Sequence, residues 1–200
     1  MITREFRVAL LNLNLFGRYG SGKGTQTELL AKKYNLGILG TGAIIREEIQ
    51  SGGALAQKFQ TLLEHGQLIS DEDIFTIFKK FFETYPQDQG IIFDGVPRTL
   101  EQKKFFDEYV ASLNRTPLNI EIEISEETSL SRQINRNEAR DDQKEEVARE
   151  RVRIYEEKIQ PMVNAYKAEG KMLAVSGEQP IEKVFEDICK LVELHGNRNE

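Results

Sequence analysis

The chain has one cysteine, Cys189, in 200 residues. A single thiol cannot close a disulfide within the chain, and with only two histidines no Cys/His zinc set is available, so no zinc is expected. Cys189 falls on the apolar face of a C-terminal helical pattern and reads as a small core residue. Positive charge is also scarce: 27 Lys and Arg stand against 33 Asp and Glu, a formal net charge of −6. An acidic chain is a poor general ligand for nucleic acid or anionic membrane, where affinity comes from neutralising phosphates. Any phosphate must then be met by locally placed arginines. No run approaches ~20 apolar residues, so no membrane span is expected. Arg4, Glu5 and Arg7 precede a short apolar run that lacks a small-residue cleavage site. The expectation is therefore no signal peptide and a reducing, cytoplasmic location. Internal repeats, low-complexity tracts and Ser–His or Cys–His pairings are all missing, which removes the usual signs of nucleophilic catalysis.

What is present is the composition of a globular domain, 39% hydrophobic and 30% charged, long enough for one domain over residues 1–200. Strand-like apolar runs alternate with helical patterns. The strand candidates are Val8–Phe16, Ile38–Leu39, Ile91–Asp94, Leu118–Ile124 and Met172–Val175. Five short strands with helices between them predict an α/β fold, a doubly wound five-stranded parallel sheet whose ligands bind at the carboxyl ends of the strands. The first strand should be buried on both faces, yet Asn12 and Asn14 would share one face and need polar neighbours or water. A small helical insertion is expected over residues 41–70, and Ser70 before Asp71, Glu72 and Asp73 reads as an N-cap. Ser125 reads as another. The stretch from Arg136 to Asp142 should be a turn between two helices, Pro161 should bend or divide the second, and residues 195–200 form a polar tail.

The most informative stretch runs from Phe16 to Gln26, F-G-R-Y-G-S-G-K-G-T-Q, between an apolar run and a helical pattern. Glycine without Cβ lets the backbone take positive φ and bring its N–H groups close to an anion, and the following helix adds partial positive charge. Gly17 to Lys23 satisfies G-x-x-x-x-G-K, with the hydroxyl one place late, at Thr25. A glycine-rich strand–turn–helix corner without a ligand is the bland alternative.

Four further motifs follow in order. They are T-G-A-I-I-R at Thr41 to Arg46, D-G-V-P-R-T at Asp94 to Thr99 with Gln102 three places on, the arginines 132, 136, 140 and 151 with Asp142, and S-G-x-x-P at Ser176 to Pro180. Together with G-S-G-K-G-T-Q they make the chain resemble adenylate kinases and their nucleoside monophosphate kinase relatives over nearly its whole length. The resemblance implies a P-loop NTPase-type fold with residues 41–70 as the NMP-binding insertion and residues 136–141 as a very short lid. It implies reversible transfer of the ATP γ-phosphoryl to a nucleoside monophosphate, with Mg²⁺ and no zinc, in a monomer whose partners are small nucleotides. The loose transition state of such a transfer calls for positioning and positive charge rather than a nucleophilic side chain.

The same resemblance implies the roles. Gly20, Ser21, Gly22, Lys23, Gly24 and Thr25 would cradle the ATP phosphates, with Arg132 on the base and Gln179 at the adenine. Thr25 and Asp94 would orient Mg²⁺ through water. Arg46 and Arg98 would hold the monophosphate, and Thr41, Gly95, Gln102 and the Gln67–Leu68–Ile69 backbone would line its base pocket. Arg136, Arg140 and Arg151 would close over the reacting groups, so that Lys23, Arg98, Arg136, Arg140 and Arg151 form the catalytic set. On spacing alone, Arg132, Arg136 and Arg140 could equally be a solvated helix face paired with nearby acids.

Three positions depart from the family pattern: Tyr19 for proline, with a less rigid loop expected, Ala43 for aspartate, and Val96 for phenylalanine. Thr41 and Thr99 favour AMP as acceptor, giving ATP + AMP ⇌ 2 ADP. A UMP/CMP-type kinase, or a nucleotide-binding module without turnover, are the alternatives.

Overall fold

The computed structural model describes residues 10–135 and 145–195. Its sheet has five parallel strands: β1 (Asn12–Phe16), β2 (Gly37–Gly40), β3 (Ile91–Asp94), β4 (Leu118–Glu123) and β5 (Met172–Ser176). They lie in the order β2-β3-β1-β4-β5, so the expected doubly wound sheet is what the chain builds. β1 sits in the middle, paired with β3 through Leu15 and Asp94 and with β4 through Asn14 and Asn119. The chain builds one side of β1 first and then crosses to the other. Loops leaving the carboxyl ends of β1 and β3 therefore open beside each other, where such sheets bind ligands.

The two faces of β1 differ in chemistry because its side chains alternate. Leu13 and Leu15 pack with Leu30 of α1 (Lys23–Tyr34) and with Val184, Ile188 and Cys189 of α9 (Ile181–His195). Cys189 is thus the core residue its pattern predicted. On the other face, Phe78 and Phe82 of α4 (Asp71–Thr84) meet Phe93 and also Phe106 of α5 (Leu100–Ser112). Phe78 makes edge or tilted contacts with Phe82, Phe106 and Tyr109. Truncating a ring so enclosed typically costs about 3–5 kcal/mol.

That second face also holds the asparagines. Asn12 Oδ1 accepts a 2.8 Å hydrogen bond from Arg115, and its Nδ2 donates to the Leu10 carbonyl at 2.7 Å. Arg115 is 2% exposed and also donates to the carbonyls of Pro86, Gln87 and Gln89. Its guanidinium lies over the rings of Phe82 and Tyr85. Burial pulls its pKa below the ordinary arginine value. Asn14 is fully buried, and its amide makes no hydrogen bond among the described residues. A second polar cluster closes the same face farther along. There Lys103 pairs with Asp107 and Glu169, and Tyr166 donates to Asp107 at 2.6 Å. Burial alone would depress the Lys103 ammonium, but its two carboxylate hydrogen bonds outweigh that and hold it above its ordinary value.

Between β2 and α4 the chain forms α2 (Thr41–Ser51) and α3 (Ala56–Glu64), the expected helical insertion. Ser70 caps α4 by accepting from the Asp73 N–H at 3.2 Å, and three acidic residues fill the first turn, as predicted. Ser125 caps α6 (Glu126–Ile134) in the same way. The second helix is divided just ahead of Pro161, as its position predicted. A π turn over Tyr155–Ile159 joins α7 (Glu145–Ile154) to α8 (Gln160–Ala168), with Gln160 N–H reaching back five residues to Tyr155. Pro161 follows directly in α8, and its missing N–H leaves one bond of the continuous run unmade next to the π turn. The lid over 136–141 lies outside the described residues, as do Val8 at the start of the first strand candidate and residues 196–200 of the tail.

Candidate active site

The glycine loop leaves β1 and turns sharply before α1. Two of its glycines show why no other residue fits. Gly17 has φ +141°, and a Cβ there would stand 2.5 Å from the Ile122 carbonyl oxygen. Gly22 caps α1 in a left-handed conformation, with no side chain covering the helix N–H groups. A helix start with no side-chain cap on its first N–H groups is the arrangement that receives anions. Lys23 arches back over the loop and donates to the carbonyls of Gly17 at 2.7 Å and Arg18 at 2.9 Å. Ser21 is buried within the turn, while Gly24 and Thr25 stand exposed at the start of α1. Gly20 is closely covered: its Cβ would lie 3.2 Å from Arg132 Cβ and 3.3 Å from the Ser129 carbonyl.

Neighbouring helices hold this loop from outside. Ser129 Oγ donates to the Tyr19 carbonyl at 2.6 Å. Arg132 spans two loops, donating to the carbonyls of Gly20 at 3.2 Å and Gly177 at 3.1 Å. Arg18 pairs with Glu156 and lies 4.6 Å over the Tyr155 ring, which ties the loop to the π turn. Gln179 donates to the Ser176 carbonyl and to Asp187, and Glu178 accepts from Ser125 N–H and Thr128. The loop after β5 is thereby fastened beside α6.

The end of β3 supplies the second half. Asp94 is half-buried at the strand terminus beside β1. Gly95 has φ +86°, and a Cβ there would lie 2.7 Å from both Arg98 Nη2 and Thr41 Oγ1. Thr41 is buried and donates to the Gly95 carbonyl at 3.1 Å. Arg98 is held at three points. Its Nε donates to the Gly95 carbonyl at 2.9 Å, its Nη1 to the Tyr19 hydroxyl at 3.0 Å, and its backbone N–H to Gln102 Oε1 at 2.8 Å. Gln102 is in turn fixed by Asp71, whose Oδ1 accepts from Gln102 Nε2 at 2.8 Å and from Thr99 at 3.1 Å. The sequence marked Thr99 and Gln102 for acceptor recognition. In the structure their polar groups also take part in a relay from α4 to Arg98, with Thr99 capping α5.

Tyr19 joins the halves. Beyond its bond from Arg98, its ring has the Arg98 guanidinium 5.6 Å and the Arg151 guanidinium 5.2 Å from its centre. The residue expected to loosen the loop is anchored by Ser129, Arg98 and Arg151. Arg46 is exposed on α2, its guanidinium folded over Gly42. Gln67 donates to Glu150 at 3.0 Å, and a Cβ at Gly66 would sit 3.3 Å from Arg151 Cγ. The insertion therefore touches α7 next to Arg151. Leu68 is half-buried and Ile69 buried against the insertion core. Arg136, Arg140 and Asp142 lie outside the described residues. Sequence reasoning missed Asp71, Arg18 and the contacts of Tyr19, because a shared acceptor or ring leaves no spacing signal. The arrangement brings cations from distant stretches over one anion cradle, which suits electrostatic stabilisation of a transferring phosphoryl group.

Comparison with known proteins agrees with this geometry. The family model described as adenylate kinase matches residues 15–171. The chain is 34% identical over 187 residues to the adenylate kinase of Bacteroides fragilis, covering 92% of this chain and 99% of that protein. It is 33% identical over 187 residues to that of Bacteroides thetaiotaomicron, with the same coverage. It is 32% identical over 188 residues to that of Flavobacterium johnsoniae, again over 92% of this chain and 99% of the relative.

Proposed function

This chain belongs to the adenylate kinase family and transfers a phosphoryl group between ATP and AMP, and from that premise we propose how its own residues carry the transfer. The glycine loop from Gly20 to Thr25 cradles the ATP phosphates through backbone N–H groups, and Lys23 leaves its carbonyls to bridge the donor and transferred groups. Arg132 and Gln179 border the ATP side. Arg98 and Arg46 hold the AMP phosphate, with Thr41, Gly95, Gln102 and the 67–69 segment around the base. Arg151, together with Arg136 and Arg140, neutralises the charge spread over the transferred oxygens. The relay Asp71–Gln102–Arg98 keeps the acceptor arginine in one orientation, so little order is lost when substrate arrives.

Mg²⁺ fits this donor set. Among the described residues no cluster of three or more His, Cys, Asp or Glu could hold a metal by itself. Mg²⁺ needs no such cluster, since it keeps several waters and takes one or two protein oxygens plus substrate phosphates. The exposed Thr25 hydroxyl and the Asp94 carboxylate would be those oxygens. When bound, the ion supplies charge neutralisation across the phosphates. Among the described residues no helix is long and apolar enough to cross a membrane. The acidic composition supports a reading without membrane or nucleic-acid partners, the lone cysteine supports a reducing, cytoplasmic location, and the monomer rests on the family resemblance.

One observation carries the proposal. Arg98 from the β3 loop and Arg151 from α7 converge on Tyr19 of the glycine loop, so acceptor and donor elements meet at a single point. Steady-state assays of Lys23→Ala and Arg98→Ala test it. Each should lower kcat/KM for ADP formation by about 10²- to 10³-fold while the fold persists by circular dichroism. Near-wild-type turnover in either variant overturns the assignment. AMP should also outperform UMP, CMP and dCMP as acceptor in a side-by-side assay.

A further inference from the structure

Tyr19 sits where donor loop and acceptor arginine meet, and its contacts leave one group uncommitted. The hydroxyl accepts from Arg98 Nη1 at 3.0 Å. A phenol can accept and donate at once. Among the described residues no hydrogen-bond acceptor for the Tyr19 proton is found, although the side chain is half-buried against two guanidiniums. An oxygen that accepts from a cation becomes a better donor, because the two bonds polarise each other. The ring is held as well. Ser129 binds the Tyr19 carbonyl at 2.6 Å, so the backbone that carries the ring is tied to α6. The O–H is thus presented beside Arg98 by a fixed support rather than by a mobile side chain.

We propose that Tyr19 is an acceptor-side substrate ligand: its hydroxyl sets the orientation of Arg98 and donates its own proton to a phosphate oxygen of the bound nucleoside monophosphate. The ring has a second effect. Two guanidiniums that converge on one phosphate repel each other before it arrives. An aromatic ring with its negative face within ~6 Å of a cation offsets part of that repulsion. Tyr19 therefore keeps Arg98 and Arg151 gathered ahead of the anion. The proposal rests on the reading that Arg98 holds the acceptor phosphate, and its test separates the two.

The experiment compares wild type, Tyr19→Phe, Arg98→Ala and the double variant, with AMP and ATP varied separately. AMP binding is measured by calorimetry in the absence of ATP. Tyr19→Phe keeps the ring and deletes one oxygen, so its melting temperature should match wild type. KM for AMP and the calorimetric Kd should rise about tenfold, the scale of one lost hydrogen bond to a charged group, with KM for ATP within about twofold. In the double variant the Tyr19 change should still weaken AMP binding, because its own hydrogen bond to the phosphate is lost, but by less than in wild type, because Arg98 is no longer there to be oriented. The proposal falls if Tyr19→Phe leaves AMP binding unchanged while Arg98→Ala weakens it. It falls too if Tyr19→Phe raises both KM values alike, since that marks a distorted loop. If Arg98→Ala itself leaves AMP binding intact, the underlying site reading is what fails.

Discussion

The two halves of the site are held by different means. On the donor side, the cradle is backbone: glycine conformations, helix N–H groups, and helices that clamp the loop through Ser129 and Arg132. On the proposed acceptor side, Arg98 is placed by side chains handing one bond to the next, from Asp71 through Gln102. A backbone cradle is insensitive to most side chains but intolerant of an added Cβ where φ is positive, as at Gly17, Gly20 and Gly22. A side-chain relay tolerates backbone variation and fails link by link. The donor half should therefore break as a whole, whereas the acceptor half should weaken selectively.

The sharpest way to break the donor half is Gly17→Ala. Its Cβ would meet the Ile122 carbonyl at 2.5 Å and Ser21 Oγ at 2.8 Å, at a φ of +141°. We expect kcat/KM to fall about a hundredfold or more with either nucleotide varied, because a misplaced cradle misaligns both reactants. An effect confined to one nucleotide would undo the contrast drawn here.

Arg115→Met serves as a control away from both halves. It strips buried partners from Asn12 Oδ1 and from the carbonyls of Pro86, Gln87 and Gln89. Urea denaturation should register a loss of about 2–3 kcal/mol. Both KM values should stay as they are, and a change in either would connect this end of β1 to the site. Asp71→Ala probes the relay. It removes the shared acceptor of Thr99 and Gln102, and KM for AMP should rise about fivefold, less than for direct loss of a charged hydrogen bond because the effect reaches Arg98 only through Gln102, with ATP unaffected. Equal change in both would mean the relay supports the whole site. The smallest effect concerns Asn14, buried without a described partner. Replacing a buried unpaired amide by an apolar group of similar size, Asn14→Leu, should raise stability by about 1 kcal/mol in the same denaturation measurement. A loss would reveal a partner for the amide.

The contrast between the halves also explains what could be read early. The glycine spacing around Lys23, the strand and helix alternation and the caps at Ser70 and Ser125 are local. They depend on φ preferences and on hydrogen bonds to the next few residues, so the amino-acid order determines them directly. The candidate site residues on those elements were picked out by motif spacing for the same reason. The partner of Asn12 stands 103 residues away on Arg115, and Tyr19 meets Arg98 across 79 residues. Such pairs have no characteristic spacing, because Tyr19 and Arg98 meet only once β3 pairs beside β1, and Asn12 and Arg115 only once the crossover from β3 to β4 is in place. Thr99 and Gln102 illustrate the limit well. Their types and positions were legible, but the tertiary fold alone decided that their hydrogen bonds go to Asp71 and to the backbone of Arg98.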